Sequence, residues 1–278
     1  MLLDPGKKST YSSYTLMRRT RLRKKQDGSI TAPKDRGLHA GPTPPYEFMS
    51  DAEVTRIIDT VITLMASSGI VFEPGTEADD LLRKAGCNVG ADGVVKIPEA
   101  ITRKALKTTS RQATLFDRNG ENPITIDCEH TQFMPGMTCI AVYEQETGEP
   151  RSSTREDLAE ITRLSDGLPN IDAVCVSVKN VSESNLFGEI DEFVCMMENT
   201  IKPLEYLCEY PVSLEAVIEI ATALRGSAQT LKEKPYFLHL VTPLPVQFAQ
   251  IHIDQILAAV RAGIPVGVGT LAIGGASS

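Results

Sequence analysis

From Thr154 onward, apolar extended runs alternate with amphipathic stretches, and this rhythm constrains the fold more than any other feature of the chain. Extended runs fall at residues 171–178, 203–208, 236–242 and 265–271. Helical patterns fall at 154–168, 185–198, 214–224 and 247–261, the first opened by Thr154 and Asp157 with Leu158, Ile161, Leu164 and Leu168 as its apolar face. Strand starts recur roughly every 30 residues, the length of one βαβ step. Such alternation predicts a parallel sheet with helical cover. Four strands and three intervening helices make half of a (β/α)8 barrel, or a small open sheet. The sequence stops at Gly274-Gly275-Ala276-Ser277-Ser278, directly after a strand. A chain that continues further, or a truncated product, is therefore expected. The open strand edges on both sides of a half-barrel predict self-association, a homo-oligomer among the outcomes.

The segment before this region reads differently. Residues 1–36 hold ten Lys or Arg against three acids, whereas the remainder holds 18 against 33. Residues 1–45 read as a basic, disordered tail, solvated or used as a partner-binding arm. The acidic body argues against nucleic acid as the main ligand, because duplex binding rests on basic side chains meeting phosphates. Residues 46–150 read as helices and hairpins, and 151–278 as the half-barrel. Ser50 and Glu53 form a capping box, followed by Val54, Ile57, Ile58, Val61 and Met65 at helical spacing up to Gly69. A second helix is expected over 76–85, a strand over 93–97, and a third helix opened by Pro98. Hairpins are expected around Arg118-Asn119-Gly120 and around Pro135-Gly136, with 146–149 closing the section. No apolar run approaches the ~20 residues that span a bilayer, and the start lacks a signal-peptide core, so a cytoplasmic protein without membrane partners is expected. The six cysteines are far apart, with no close Cys or His pairs of the kind zinc sites use; they read as reduced, buried residues and no metal is expected.

Several segments, in order, resemble the trimethylamine methyltransferase family of corrinoid-dependent enzymes. They are Gly93-Val94-Val95-Lys96-Ile97-Pro98-Glu99, Leu115-Phe116-Asp117-Arg118, Thr147-Gly148 before the Thr154 helix, and Pro169-Asn170-Ile171-Asp172. Later come Asn199-Thr200-Ile201-Lys202-Pro203, Lys234-Pro235, Ala262-Gly263-Ile264-Pro265-Val266, and the terminal Gly-Gly-x-Ser-Ser loop. The resemblance runs over roughly residues 46–278 and implies a TIM barrel lacking its last four strands. It implies transfer of a methyl group from a methylated amine, trimethylamine or a quaternary amine such as a betaine, to the Co(I) of a cognate corrinoid protein. No cofactor would then be tightly bound, because the cobalamin that accepts the methyl group belongs to that separate partner. Thr242-Pro243-Leu244-Pro245 departs from the family's Ser-Pro pair, and a pyrrolysine, where the branch has one, would lie beyond Ser278.

Side chains in barrel strands alternate between interior and helices, and active sites lie at the strands' C-terminal ends. Val174, Val176 and Val178 suit the helix side, which turns Ala173, Cys175 and Ser177 inward. Glu205, Leu207 and Glu209 are expected inward, since unpaired carboxylates are poor partners for apolar helices. His239 shares a face with Phe237 and Val241, and Gly267 and Gly269 leave open space. Candidate substrate-binding residues are therefore Glu205, Glu209, Ser177, His239, Gly274, Gly275 and Ser277; no catalytic residue is assigned. Against these stand structural readings: Glu205 as an interior ion-pair partner, His239 as a satisfied core histidine, and Tyr206 and Tyr210 as packing residues rather than an aromatic cage. Pro135-Gly136-Met137 is a candidate to close over the barrel mouth. The rival enzyme class is a TIM-barrel lyase, for which Lys179 is the only nearby Schiff-base candidate. The non-enzyme rival is an inactive half-barrel, a remnant or a partner-binding fragment.

Overall fold

The computed structural model describes residues 48–183, 185–270 and 272, all within one compact unit, Gly41–Ser278. The basic tail and the Gly274, Gly275 and Ser277 candidates lie outside the described residues.

Helix α1 (Asp51–Ser67) starts at the expected box: the Ser50 N–H donates to the Glu53 carboxylate at 2.8 Å and the Glu53 N–H to Ser50 Oγ at 3.4 Å. Strand β1 (Ile70–Phe72), helix α2 (Glu77–Lys84), strands β2 (Asn88–Val89) and β3 (Val94–Lys96), and helix α3 (Glu99–Thr108) follow. Gly69 turns the chain into β1 at φ 84°, where an added Cβ would sit 2.7 Å from the Val95 carbonyl oxygen, so only glycine fits. The expected inward stripe of α1 is exposed at Val54, Ile57, Ile58 and Val61; Ile62 is its buried residue.

Strands β4 (Ala113–Leu115) and β5 (Ile124–Ile126) pair antiparallel as the first expected hairpin. The second is shifted. Residues flanking Pro135-Gly136 form no hairpin; β6 (Ala141–Tyr143) and β7 (Pro150–Ser152) do, turning through Glu144 to Glu149.

Helix α4 (Arg155–Asp166) begins at the Thr154–Asp157 box, and strand β8 (Val174–Cys175) follows. Helix α5 (Leu186–Asn199) is capped by Asn185, whose Oδ1 accepts from the N–H groups of Phe187 and Gly188. Strand β9 (Leu204–Tyr206), helix α6 (Pro211–Arg225), a short helix α7 (Ala228–Glu233) and strand β10 (Phe237–Val241) come next. Strand β11 (Gln247–Phe248), helix α8 (Gln250–Ala262) and strand β12 (Val266–Val268) complete the described chain. Residues 247–248, expected as helix, instead pair parallel with β1, giving a small sheet of order β11-β1-β3-β2.

The main sheet has the order β12-β10-β9-β8, and every neighbouring pair is parallel. The chain is thus a mixed α/β protein with a sequentially ordered parallel sheet. Helices cover one face. Phe193 of α5 is fully buried there, edge-on to Tyr206 at 5.2 Å and Phe237 at 5.5 Å between ring centroids; burying one such ring contributes roughly 1.5–3 kcal/mol. In α4 the buried residues are Leu158, Ala159, Thr162 and Ser165, whereas Leu164 and Leu168 are exposed, so only Leu158 of the expected face is fully buried.

Just past β8 the outer edge is covered over residues 176–179, where a free edge is expected. The Thr138 and Cys139 N–H groups donate to the Val176 and Ser177 carbonyls at 2.7 and 3.0 Å, and Lys179 N–H returns to Cys139 O at 2.9 Å. Among the described residues, no strand lies beyond β12. Four of the six cysteines are buried, but Cys128 and Cys139 are exposed, and none is disulfide-bonded. Among the described residues, no helix is long and apolar enough to cross a membrane.

Candidate active site

Register and alternation sort the side chains of the parallel sheet. Val174, Leu204 and Phe237 lie abreast, as do Tyr206, His239 and Val266, and both rows include core residues under the helices. The intervening row, Cys175, Glu205 and Leu238, therefore points to the face away from the helices. Four residues beyond Glu205, about 13 Å along an extended chain, Glu209 stands past the C-terminal end of β9 on this same face.

At that end lies a cleft of about 520 Å³, lined by Lys179, Leu207, Glu209, Leu240 and Thr242 and closed on one side by Met137, Thr138 and Ile140. Among the described residues the Glu209 carboxylate has no ion-pair partner. The Pro135-Gly136-Met137 segment is held by the Cys175 thiol, which faces the Pro135 and Gly136 carbonyls at 3.3 and 3.5 Å. Burial pushes that thiol up to about 12, so it stays protonated as a donor.

Two buried carboxylates on α5 fix the loops that frame the cleft. Glu189, 4% exposed, accepts from the Glu209 N–H at 2.6 Å, the Tyr210 N–H at 3.3 Å and the Ser213 hydroxyl at 2.6 Å. It thereby satisfies donors at the start of α6, where the helix dipole also favours a negative charge. Glu192, 2% exposed, accepts from Lys179 Nζ at 2.9 Å and the Asn180 N–H at 3.0 Å. Sequence reasoning missed both. The available signal was that Glu189, Glu192, Phe193 and Met196 recur at i, i+3, i+4 and i+7, so two acids sit on the buried stripe.

The other candidates are placed as follows. Glu205 opens not into this cleft but into a second, smaller cavity, and burial raises its carboxyl above the usual range. Ser177 is buried, with its hydroxyl donated to the Cys175 carbonyl at 3.2 Å, and it does not line the cleft. His239 is turned to the helix side, fully buried, with Nε2 3.3 Å from Gln255 Oε1. Gln255 donates its own amide to the Cys208 carbonyl, so His239 holds its proton on Nε2, and burial pushes its pKa down. His239 and Glu205 therefore project to opposite faces and form no common site. Tyr206 is buried in the core and donates to the Glu189 carbonyl, while Tyr210 caps α6 at the surface. The space expected at Gly267 is taken by Leu238 and Leu240, which an added Cβ would meet at 3.2 and 3.3 Å.

A parallel sheet with a cleft at its C-terminal strand ends has the usual form of an α/β ligand site, and similarity to known proteins narrows it. The family described as "Trimethylamine methyltransferase (MTTB)" matches residues 17–278. Trimethylamine methyltransferase MttB of Desulfitobacterium hafniense (strain DSM 10664 / DCB-2) is 27% identical over 231 residues, covering 82% of this chain and 46% of that protein. Glycine betaine methyltransferase of Desulfitobacterium hafniense (strain Y51) is 26% identical over 239 residues, covering 84% and 49%. Trimethylamine methyltransferase MttB of Methanosarcina barkeri is 26% identical over 227 residues, covering 77% and 46%. The chain thus spans about half the length of these relatives. With the family match covering nearly all of its residues, the chain belongs to the trimethylamine methyltransferase family.

Proposed function

We propose that the parallel sheet is the first half of a (β/α)8 barrel. We further propose that the complete protein moves a methyl group from a methylated amine, trimethylamine or a quaternary amine such as a betaine, to a cognate corrinoid protein. The observation that carries this reading is the cleft at the strand C-terminal ends with the unpaired Glu209 on its wall, in a chain of this family. A barrel enzyme places its chemistry at that end. The corrinoid of the partner, acting as substrate, supplies a Co(I) nucleophile for in-line displacement at the methyl carbon.

This chain's residues would supply position and charge. A quaternary ammonium has no N–H to donate, so a carboxylate and apolar walls are what recognise it. Glu209 would hold the cation, with Leu207, Leu240 and Met137 around its methyl groups. Glu189 and Glu192 would keep the two loops in register, and orientation of that kind can account for much of a barrier reduction. The lyase alternative is weaker, because Lys179 Nζ is committed to the buried Glu192 rather than held as a free amine.

The test is methyl transfer by the complete protein in a cytoplasmic-like buffer, with and without reduced corrinoid protein or cob(I)alamin. Methylcobalamin should form only when amine and Co(I) are both present. Methyl transfer to another acceptor in the absence of cobalt would overturn the reading.

A further inference from the structure

Thr242, on the wall of the cleft, opens a connection to α8 whose course is set from outside the parallel sheet. Thr242-Pro243-Leu244-Pro245 is a stiff arm, because each proline fixes its own φ and holds the residue before it extended. At its end the Gln247 N–H donates to the Leu244 carbonyl at 3.1 Å, closing a turn with Pro245 second and Val246 third. Val246 has a φ of 53°. Proline followed by a residue of positive φ is the pattern of a type II turn, which takes Gly or Asn at the third position. A β-branched residue there is strained. Val246 is also 67% exposed, so burial of its own side chain does not offset the strain.

Strand β1 holds the turn in place. The Val71 N–H donates to the Val246 carbonyl at 3.0 Å, and the Glu73 N–H to the Phe248 carbonyl at 2.9 Å. Phe72 and Phe248 stack with ring centroids 5.1 Å apart and planes 9° apart. Glu73 caps α8 as well. The N-cap residue is Ala249, whose side chain offers no acceptor. The Gln250 N–H donates instead to the Glu73 carboxylate at 2.7 Å, at the helix end where the dipole favours a negative charge.

Strand β11 has only two residues, so few bonds oppose the strain, and segments of that kind open before the core does. We propose that residues 243–249 are a strap that exchanges between a latched state, paired to β1, and a released state in which Val246 relaxes. Because the arm is stiff, release carries Thr242 with it and reshapes the cleft wall. Glu73 is the residue that positions this wall. The strap does not depend on what the cleft binds, and it stands if the methyl-transfer reading fails.

Strand β1 carries an internal control. The N–H groups of Val71 and Glu73 face the strap, whereas the Phe72 N–H faces the other way and donates to the Gly93 carbonyl at 2.9 Å. The experiment measures amide exchange in the 278-residue chain and follows the Thr242 methyl by NMR, with Thr242→Ser assigning the resonance. In the wild type, Val71 should exchange faster than Phe72. Val246→Asn, which relieves the strain, should slow Val71 about fivefold, and Glu73→Ala should speed it about fivefold. Glu73→Gln keeps a carbonyl acceptor for Gln250 and should speed it less. Phe72 should be unchanged in all three. The Thr242 methyl signal should move in opposite directions in Val246→Asn and Glu73→Ala, as a shift of populations requires. Val71 and Phe72 exchanging together would mean that the small sheet opens as one body. A Thr242 signal that stays still while Val71 responds would mean that the arm does not reach the cleft. Either result overturns the proposal. Val246→Asn against the wild type keeps the test open even if Glu73→Ala does not fold.

Discussion

Removing the Glu189 carboxylate should loosen the rim of the cleft before it loosens the sheet. Glu189 serves three donors from within the protein, two of them at 2.6 Å. Replacing it with Leu leaves the Glu209 N–H and the Ser213 hydroxyl without acceptors, and Ser213 is fully buried. Each stranded buried donor costs about 1–3 kcal/mol. The Tyr210 N–H adds little, since its bond is the longest of the three and Tyr210 is exposed enough for water to replace it. Glu209 is itself exposed, so its N–H counts toward the low end, and the loss in Glu189→Leu is about 2–4 kcal/mol, or roughly 4–16 °C in Tm at 2–4 °C per kcal/mol for a domain of this size. Glu189→Gln keeps one carbonyl acceptor but turns an amide toward donors, for a loss of about 1–2 kcal/mol and roughly 2–8 °C. Thermal melts followed by circular dichroism give the two shifts, and hydrogen exchange gives the protection of the Glu209 and Tyr210 amides. If both variants melt within about a degree of wild type with those amides still protected, the carboxylate is not what holds the loop.

Three further outcomes follow from the same geometry. Glu192→Gln removes one partner of the Lys179 pair, whose side chains are 16% and 3% exposed; because uncompensated buried charge is costly, stability should fall by about 2–4 kcal/mol, and Lys179→Met in the same background should recover part of it, as urea midpoints would show. His239 is held neutral by burial, its folded pKa below the unfolded value, so its contribution is present above about pH 6.5 and is lost as pH falls below that. His252 is lowered by burial as well and acts in the same window; melting at pH 7.5 and 5.5 should therefore show a shallower pH dependence in His239→Gln than in wild type, and an unchanged slope would remove His239 from the account. Arg225→Ala frees the Asp117 and Arg118 carbonyls, so the Gly120 and Glu121 amides should exchange at least about tenfold faster while α5 stays protected.

Local signals in the sequence carried well. Both capping boxes, at Ser50 and Thr154, form as the residue types dictate, because a cap depends only on neighbours three positions away. Alternation along β9 likewise separates Glu205 from Tyr206, since a strand's period is fixed by the pleat. What stayed hidden was set by distant partners. Gln247 and Phe248 become a strand only because β1, far earlier in the chain, offers its edge. Residues 138–139 lie along residues 176–179, just past β8, for the same reason, which hid that covered stretch of edge. The stripe on α4 was misjudged because Thr162 and Ser165 are small enough to sit under the fold while Leu164 faces out. At the site, sequence could name Glu205 and Glu209 as a pair on one face, but not that two separate cavities receive them. Glu189 and Glu192 went unremarked because their donors come from loops that only the fold brings near.

The proposed function stands or falls on Glu209 holding a methylated cation at the strand ends. The measurement that tests it is steady-state methyl transfer from amine to corrinoid protein by the complete enzyme, comparing wild type with Glu209→Gln. In Glu209→Gln, kcat/KM should fall at least tenfold, about 1.4 kcal/mol of transition-state stabilisation, with Tm nearly unchanged because Glu209 is exposed. Full activity in Glu209→Gln with a lowered Tm would contradict it and make the carboxylate structural.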